Sequence, residues 1–555
     1  AKDGPSLNEC LHQGPVLTEP LLAVLLRFRI YPYAFIADIE KAYLQISLYE
    51  PHRDYVRFLW FSDINDLNSS NISEKQLQSY RLCRVLFGVT SSSYLLSATL
   101  IEHLEQFMKI DEPFVNKLLS SLHVDDLTSG SVTKSEAIEF YEKCKKRSRQ
   151  GNFNLRKFIS NCDTLNEHFN SLNKNNEQTN VKVLGITWDN NIDKFYFNLQ
   201  IILKDIFSVK ETIISKRDLL KFIASLYDPL GLLNPFTVKL KILFQNVCKK
   251  KLKWEDLLNG ELLKEWLLIR KDLETVNEVV FDRCYRNLDI EMKPVSVELQ
   301  GFADASICAY GCVIYIRYVY PNGFYHVSLV TAKSRVAPIQ SMTVPRLELK
   351  AAVLLSNFIE VVYKHLIVNM NISKIICWSD STIVLAWIRN TNKKLEAFVQ
   401  RRINIIRDNK VINEWHHIDS VQNPADILSR GALLSVVRSC ELWRFGPILL
   451  HSDLPRPSED DLTCFVGEGL LNIGEFNTLS ETKTESSINL DKILNINKFS
   501  CHPRLIRITA FVLRFISNIK RRKKKEDLSL NNYVTKKEVK LTEENGLLVF
   551  KTFSN

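Results

Sequence analysis

The stretch Ala34-Phe35-Ile36-Ala37-Asp38 ends an apolar run on a carboxylate, and 87 residues past that aspartate a second run, Leu122-His123-Val124-Asp125-Asp126, ends on two. Two strands of the buried type that stop on acids can bring three carboxylates to one sheet edge. Carboxylates crowded in this way repel one another and resist ionising, so the arrangement makes physical sense with cations between them. Hard oxygen ligands favour Mg²⁺ or Mn²⁺, and paired ions of that kind serve phosphoryl transfer. The residues alone also allow a plainer reading, in which Asp38 caps a helix and Asp125-Asp126 forms a hairpin turn.

A chain of 555 residues exceeds one hydrophobic core and is expected to hold three or more domains. Apolar residues make up 45% and charged residues 25%, with only 17 Gly and 17 Pro, which excludes the disordered and fibrous classes. The net charge of +10, with its basic residues in clusters, favours nucleic acid over acidic small molecules as a partner. Twelve cysteines lack the regular spacing of a disulfide framework, and Cys308, Cys312 and Cys377 sit in strand-like runs; this reads as reduced and intracellular. Cys308 and Cys312 have no second Cys/His pair at finger spacing, so packing is favoured over zinc. No run reaches the roughly 18 uncharged residues of a membrane span. The best candidate, Leu21 to Ala37, is interrupted by Arg27 and Arg29, and no membrane partner is expected. The start at Ala1, within a loop-like stretch, reads as a piece of a longer polypeptide.

Around the first acids, a helical segment from Pro20 precedes the Asp38 strand. Arg57–Phe61 reads as the next strand, 62–79 as an exposed insertion, and Leu82–Leu86 as strand-like, with Phe87-Gly88-Val89 leading into a helix toward Met108. Thr133–Gln150 is an amphipathic helix with a basic end: Lys143, Lys145, Lys146, Arg147 and Arg149. An Asn-rich linker, 166–180, precedes a strand Val181–Trp188. A helical region from Lys210 to about Glu278 is broken by turn signals at Asp228-Pro229-Leu230-Gly231 and Asn234-Pro235. From Val295 the order becomes β-β-β-α-β-α, with strands Val295–Ala303, Cys312–Val319, Phe324–Lys333 and Lys374–Ser379 and a long helix Arg346–Leu366. Near the end stand a short helix, Pro503–Ile519, and a basic run, Lys520–Lys525.

Four more acids recur in this later region: Asp304 after a strand, Glu348 at a helix start, Asp380 ending a strand, and Asp426 in Asn423-Pro424-Ala425-Asp426. Each alone fits a cap or a turn. Together, with His416-His417 shortly before Asp426, they suggest a second two-metal site with a histidine that can shuttle protons. Such a site hydrolyses phosphodiesters by activating water on one ion and stabilising the leaving oxyanion on the other.

The order Asp, Asp-Asp, then Asp/Glu/Asp/Asp resembles a reverse transcriptase followed by ribonuclease H. More closely, the chain resembles the polyprotein of Bel/Pao long-terminal-repeat retrotransposons. The stretches that carry the resemblance include Ser6-Leu7-Asn8-Glu9-Cys10-Leu11, Ala37-Asp38-Ile39-Glu40-Lys41-Ala42-Tyr43, Arg84-Val85-Leu86-Phe87-Gly88-Val89, Val124-Asp125-Asp126-Leu127, Tyr227-Asp228-Pro229-Leu230-Gly231, Pro345-Arg346-Leu347-Glu348-Leu349, Trp378-Ser379-Asp380-Ser381 and Asn423-Pro424-Ala425-Asp426, in the right order over roughly residues 6 to 450.

The resemblance implies an α+β multidomain fold: a right-hand polymerase of palm, fingers and thumb, followed by a ribonuclease H-like mixed α/β domain. The expected boundaries are 1–205 for partial fingers and palm, 206–292 for a helical thumb or connection, 293–440 for the ribonuclease H-like domain, and 441–555 for a linker approaching an integrase. It implies that Asp38, Asp125 and Asp126 bind two Mg²⁺ or Mn²⁺ ions for nucleotidyl transfer. Asp38 and Asp125 are the firmest of these, because adjacent strand residues face opposite ways and Asp126 is expected to point partly aside. Tyr43 is implied as the gate against a ribose 2′-hydroxyl, Phe87 and Gly88 as nucleotide contacts, Lys157 as the acid for pyrophosphate, and Leu184-Gly185 as the hairpin that grips the primer. Asp304, Glu348, Asp380 and Asp426 are implied as the ribonuclease H metal ligands, again two ions, with His417 rather than His416 as the mobile histidine. The implied partners are an RNA template, a DNA primer, RNA–DNA hybrid and deoxynucleoside triphosphates, together with adjoining polyprotein segments such as protease and integrase. The implied setting is a cytoplasmic particle or the nucleus. His123 stands where tyrosine is usual, and Ser93 where proline is. The alternatives are an inactive or domesticated nucleic-acid-binding relic and, on a lesser footing, an aspartic peptidase over about 210–366; the latter lacks the Asp-Thr/Ser-Gly that such chemistry needs.

Overall fold

The computed structural model describes residues 4–61, 77–171, 180–206, 213–276, 278–390, 395–454, 540–544 and 547–551. The expected helix 503–519, the basic run after it and most of the 62–79 insertion lie outside these residues. The chain divides into two compact units, Ala1–Gly467 and Glu468–Asn555. In the second, the described residues form one antiparallel hairpin, Lys540–Glu544 with Leu547–Lys551.

The first unit is built on three sheets. In chain order its strands are β1 (Tyr33–Ile39), β2 (Arg57–Phe61), β3 (Leu77–Arg81), β4 (Leu122–His123), β5 (Asp126–Ser131), β6 (Leu155–Ser160), β7 (Asn180–Val183), β8 (Ile186–Asp189), β9 (Lys194–Phe197), β10 (Val279–Asp282), β11 (Ser296–Ala305), β12 (Ala309–Val319), β13 (Tyr325–Val336), β14 (Lys374–Ser379) and β15 (Glu414–His417). Three sheets run β4-β5-β1-β6, β10-β9-β8-β7 and β13-β12-β11-β14-β15, and β2-β3 stands as a separate hairpin.

The alternation of a strand decides what each face of β1 meets. Phe35, Ala37 and Ile39 enter a core with Leu100, Leu118, Phe140 and Phe158, under the helices Ser92–Glu105, Met108–Ser121 and Lys134–Gln150. Ala34 and Ile36 face the other way, into a larger core that also holds Trp188, Trp266 and much of the third sheet. Asp38 shares that second parity, so it emerges between the first two sheets. Both sides of β1 are covered, as its nearly continuous apolar sequence requires.

The third sheet pairs β11 with β12 and β12 with β13 antiparallel, and β11 with β14 and β14 with β15 parallel. Glycines let helices approach both of its faces: a Cβ on Gly301 would lie 2.7 Å from Leu355 of helix Val344–Leu366, and one on Gly311 would lie 2.9 Å from Leu428 of helix Asp426–Arg430. Two of the buried arginines, Arg29 and Arg283, join the sheets. Arg29 donates to the carbonyls of Arg283 (2.9 Å) and Val330 (2.8 Å), while Arg283 pairs with Asp193 at 2.5 Å and donates to the Phe28 carbonyl. Arg27, which interrupts the apolar run of helix Leu21–Phe28, is paired with Glu19 at 2.7 Å.

Several expectations are corrected. Leu82–Leu86 is not a strand; its one ladder contact is an isolated Ser47–Arg84 bridge, made by the Leu48 N–H to the Cys83 carbonyl and the Val85 N–H to the Ile46 carbonyl. Asn234-Pro235 opens helix Asn234–Lys249 rather than making a free turn, proline being well suited to a first helical turn. Val181–Trp188 is two strands turned at Leu184-Gly185, with both turn residues at positive φ. The helix expected to run to Met108 breaks after Glu105, and a second begins at Met108. Among the described residues ten cysteines are unpaired, with Cys312 buried in β12 and Cys308 half-buried. No described helix is long and apolar enough to cross a membrane.

Candidate active sites

The first site is made by a hairpin and its neighbour. β4 and β5 pair His123 with Asp126, leaving Val124 and Asp125 as a two-residue turn with Val124 at φ +60°. Positive φ at the first turn residue suits the right-handed twist of a hairpin, although a β-branched residue adopts it under strain. Asp126 is then the register partner of Asp38 on β1, and the Asp125 carbonyl accepts from Ile39 N–H at 2.9 Å. This overturns the expectation that Asp126 points aside. Alternation applies along a strand, and Asp125 lies on the turn, so Asp126 is the residue that shares Asp38's face.

All three acids line a cleft of about 360 Å³ with Lys157 and the turn segment Asn180–Leu184. Arg156 Nε reaches Asp38 Oδ2 at 3.3 Å and its Nη1 reaches Glu40 at 2.9 Å. Asp38 Oδ1 is buried and accepts no hydrogen bond; Lys157 Nζ stands 3.7 Å away. Asp126 keeps an exposed edge, yet desolvation of its carboxyl, then the charges of Asp125 and Asp38, push its pKa up to about 6. His123 turns its Nδ1 to the Glu19 carbonyl at 2.9 Å.

Tyr43 and Phe87 meet edge to face, 4.8 Å between ring centres, and Tyr43 Oη lies 3.2 Å from Ser93 Oγ. Phe87 is 64% exposed, and Gly88, at φ +79°, has nothing within 4 Å of where a Cβ would sit. The open space at Gly88 is on the solvent side, not filled by protein. Asn8 fixes this loop, donating to the Gly88 carbonyl and accepting from Thr90 N–H, both at 2.9 Å. Tyr227 braces the other wall of the cleft: its hydroxyl donates to the Leu184 carbonyl at 2.9 Å, and its ring covers Gly185. Asp228 is wholly structural, accepting the N–H groups of Leu232 and Leu233.

The second site gathers at the third sheet. Asp304 lies one residue from the end of β11, Asp380 just past the adjacent parallel strand β14, Glu348 in the second turn of helix Val344–Leu366, and Asp426 at the start of its helix. Burial pushes Asp304 up to about 6 against a hydrogen bond from Ser429, with Asp380 and Asp426 adding repulsion. Burial likewise raises Glu348, opposed by the Ser381 hydroxyl at 2.5 Å and helped by Asp380. Asp380 Oδ2 accepts from Ser420 at 2.7 Å, while its Oδ1 is buried without a partner. Asp426 pairs with Arg430 at 2.7 Å. His417 is exposed and stands in register beside Ser379, next to Asp380. His416 is committed elsewhere, to Glu414 at 2.7 Å and against the Trp378 ring.

Among the described residues no three His, Cys, Asp or Glu side chains converge as a ready-made metal cage. The donor sets nevertheless suit a hard cation, since each site holds an aspartate oxygen that is buried and lacks a donor. Residues whose part is not evident from the sequence are Arg156, Asn8, Ser381, Ser420 and Asn423, the last fully buried and donating to the Ala303 carbonyl. All but Arg156 and Ser420 stand inside or beside the motif stretches, which was the available signal.

Residues 215–381 match the family described as "Pao retrotransposon-like RNaseH-like domain". That part of the chain is therefore similar to the ribonuclease H-like domain of Pao retrotransposons. The matched region contains Asp304, Glu348 and Asp380, and it is the same region for which a peptidase was the lesser expectation. The chain is also similar to solved structures of the foamy viral protease-reverse transcriptase. The one in complex with an RNA/DNA hybrid is 14% identical, covering 73% of this chain and 46% of that one, with a TM-score of 0.44. The dRH form in complex with ds DNA is 13% identical over 74% and 61%, with a TM-score of 0.47. The dsDNA complex is 13% identical over 75% and 74%, with a TM-score of 0.43. The chain thus spans about half the length of the first and three-fifths of the second. No curated protein matches the chain.

Proposed function

We propose that this chain is a retrotransposon reverse transcriptase with ribonuclease H activity, its first sheet acting as the polymerase palm and β2-β3 as part of the fingers. The observation that carries the reading is the register pairing of Asp38 with Asp126 across the Asp125 turn, in a cleft beside Lys157. Asp38, Asp125 and Asp126 would hold two divalent cations, and the third-sheet acids two more; bound there, such ions supply charge neutralisation and an activated oxygen nucleophile. Lys157 lies where it can give a proton to departing pyrophosphate. The Tyr43–Phe87 pair forms a wall against which a deoxyribose packs and a 2′-hydroxyl collides. In the second site Asp304, Glu348, Asp380 and Asp426 would hold the cations to which the phosphodiester of an RNA strand binds, and exposed His417 takes or returns the proton. The partners are an RNA template, a DNA primer, deoxynucleoside triphosphates and RNA–DNA hybrid, in an intracellular particle.

Primer extension on poly(rA)–oligo(dT) with Mg²⁺ or Mn²⁺ tests the first half, comparing the chain with Asp125→Asn. Cleavage of a labelled hybrid, compared with Asp304→Asn, tests the second. Incorporation that is lost in Asp125→Asn supports the polymerase; no incorporation by either chain, with nucleic acid still bound, returns the reading to a binding relic.

A further inference from the structure

Strand alternation puts neighbouring residues on opposite faces, yet Arg156 and Lys157 both reach Asp38. A β-bulge makes this possible. Along β6, Ile159 pairs with Ile36 and Arg156 with Asp38, so Lys157 and Phe158 together stand opposite the single Ala37. Lys157 takes the extra step in the left-handed region, at φ +53°, which a residue with a side chain adopts at a cost. Leu155 and Phe158 enter the core with Ala37, and the two cations between them face out. Bulges re-aim side chains, and this one sends two consecutive cations to one carboxylate.

The two cations are not equivalent. Lys157 Nζ lies 3.7 Å from Asp38 Oδ1, and the lysine is mostly exposed and lines the cleft. Arg156 does not line it; its Nε reaches the other oxygen, Oδ2, at 3.3 Å from outside the cleft. Arg156 Nη1 donates to Glu40 Oε1 at 2.9 Å, and Asn154 Nδ2 donates to Glu40 Oε2, also at 2.9 Å. The Glu40 N–H donates to the Asn154 carbonyl, so the far end of this series is tied to the backbone. Asn154, Glu40, Arg156 and Asp38 thus form a line of charge-assisted hydrogen bonds. The line ends on Oδ2 and leaves the buried Oδ1 without a donor. Outer partners of this kind fix the orientation of a metal ligand, and Glu40 offsets the charge with which Arg156 would otherwise repel an ion.

We propose that Arg156 is a positioning residue for the first site: held by Glu40 and Asn154, it keeps Oδ2 of Asp38 and presents Oδ1 alone to a divalent cation, while Lys157 competes for that same oxygen. This rests on the reading of Asp38 as a metal ligand. The probe is Mn²⁺, followed by the electron paramagnetic resonance signal of the free ion. The full chain carries Asp304→Asn and Asp380→Asn, so that the second site does not take the ion. Arg156→Met should weaken Mn²⁺ binding about tenfold, as loss of an outer partner does. The sign decides, because removal of a positive charge that merely repelled the ion would tighten binding. Lys157→Met should tighten it. Asn154→Ala, neutral and at an exposed position, should weaken binding like Arg156→Met, and it carries the test if Arg156→Met does not fold. Equal or tighter binding in either folded variant overturns the positioning role, even if the melting temperature falls. Asp38→Asn judges the underlying reading: unchanged binding there removes Asp38 as a ligand and the proposal with it. Weakened binding in Asp38→Asn with unchanged binding in Arg156→Met removes the positioning role alone.

Discussion

At Asp38 the neighbours of the acid cluster are cations, Arg156 and Lys157. At Glu348, Asp380 and Asp304 they are hydroxyls, from Ser381, Ser420 and Ser429, and the cation of that site, Arg430, is held at its margin by Asp426. Both sites retain one buried aspartate oxygen without a donor, so the difference lies in what already balances the charge. A lysine or arginine must share or yield its carboxylate when a divalent ion arrives. A serine hydroxyl only supplies a dipole and can stay. The first site should accordingly take its ions more weakly than the second, and with more dependence on salt.

The largest test separates the two sites outright. Asp125→Asn should lower nucleotide incorporation by about 10³-fold and leave hybrid cleavage intact, and Asp304→Asn should do the reverse, since a metal ligand supplies several kcal/mol to each reaction. Steady-state rates of both activities in both variants check this; a variant that loses both in a folded chain would break the separation of the sites.

The next effect is on stability. A carboxyl whose folded pKa is raised above its unfolded value stabilises the fold below the unfolded value and loses that contribution as pH rises through the folded one. For buried Asp304, raised from 3.8 to about 6, the loss amounts to about 3 kcal/mol between pH 4 and 7 in metal-free protein. Thermal melts in EDTA across that range should show wild type declining and Asp304→Asn declining less, with Mg²⁺ restoring wild type at pH 7. Asp126 keeps an exposed edge and should contribute less. Parallel melting curves for the two chains would remove the charge-crowding account of the second site.

Much of this comparison was legible as residue pattern. The acids sit where apolar runs stop, and that pattern announces strand ends without knowledge of the fold. Register was not legible, because alternation fails at a turn: it set Asp126 aside, whereas the two-residue turn at Val124-Asp125 restores it to Asp38's face. β15 was missed as a strand because Glu-Trp-His-His is short and polar, and only its pairing with β14 separates His416 from His417. Arg156 is 118 residues from Asp38 and Asn8 is 80 from Gly88. Contacts over such distances have no periodic signature. The motif around Asp228 looked like a plain turn; it is one, but Tyr227 uses it to brace the cleft.

Lys157→Met sharpens the contrast at the first site. The lysine lies 3.7 Å from Asp38 Oδ1 with 61% of its side chain exposed, so its charge competes with a cation in a nearly aqueous setting. A unit charge at that range is worth about 1 kcal/mol in water, so half-saturation by Mg²⁺ should fall about fivefold. Turnover should fall as well if the lysine also gives up a proton. A Mg²⁺ titration of incorporation separates the two effects; an unchanged midpoint would mean that Lys157 is not the competitor.

The smallest effect distinguishes two hydroxyls within the second site. Ser420→Ala removes the exposed donor to Asp380 Oδ2 and should cost metal-free protein about 1 kcal/mol or less. With Mg²⁺ bound, the carboxylate has a stronger partner and the cost should shrink toward zero. Ser381→Ala removes the bond to Glu348 and also the cap on the N–H of Val384, at 3.2 Å. The cap belongs to the helix rather than to the ion, and its loss of about 1 kcal/mol should persist at any Mg²⁺ concentration. Melting shifts of both variants with and without Mg²⁺ therefore divide charge balance from scaffold. If the Ser420→Ala shift were as insensitive to Mg²⁺ as the Ser381→Ala shift, Asp380 would not be a ligand, and the buried oxygen beside it would need another explanation.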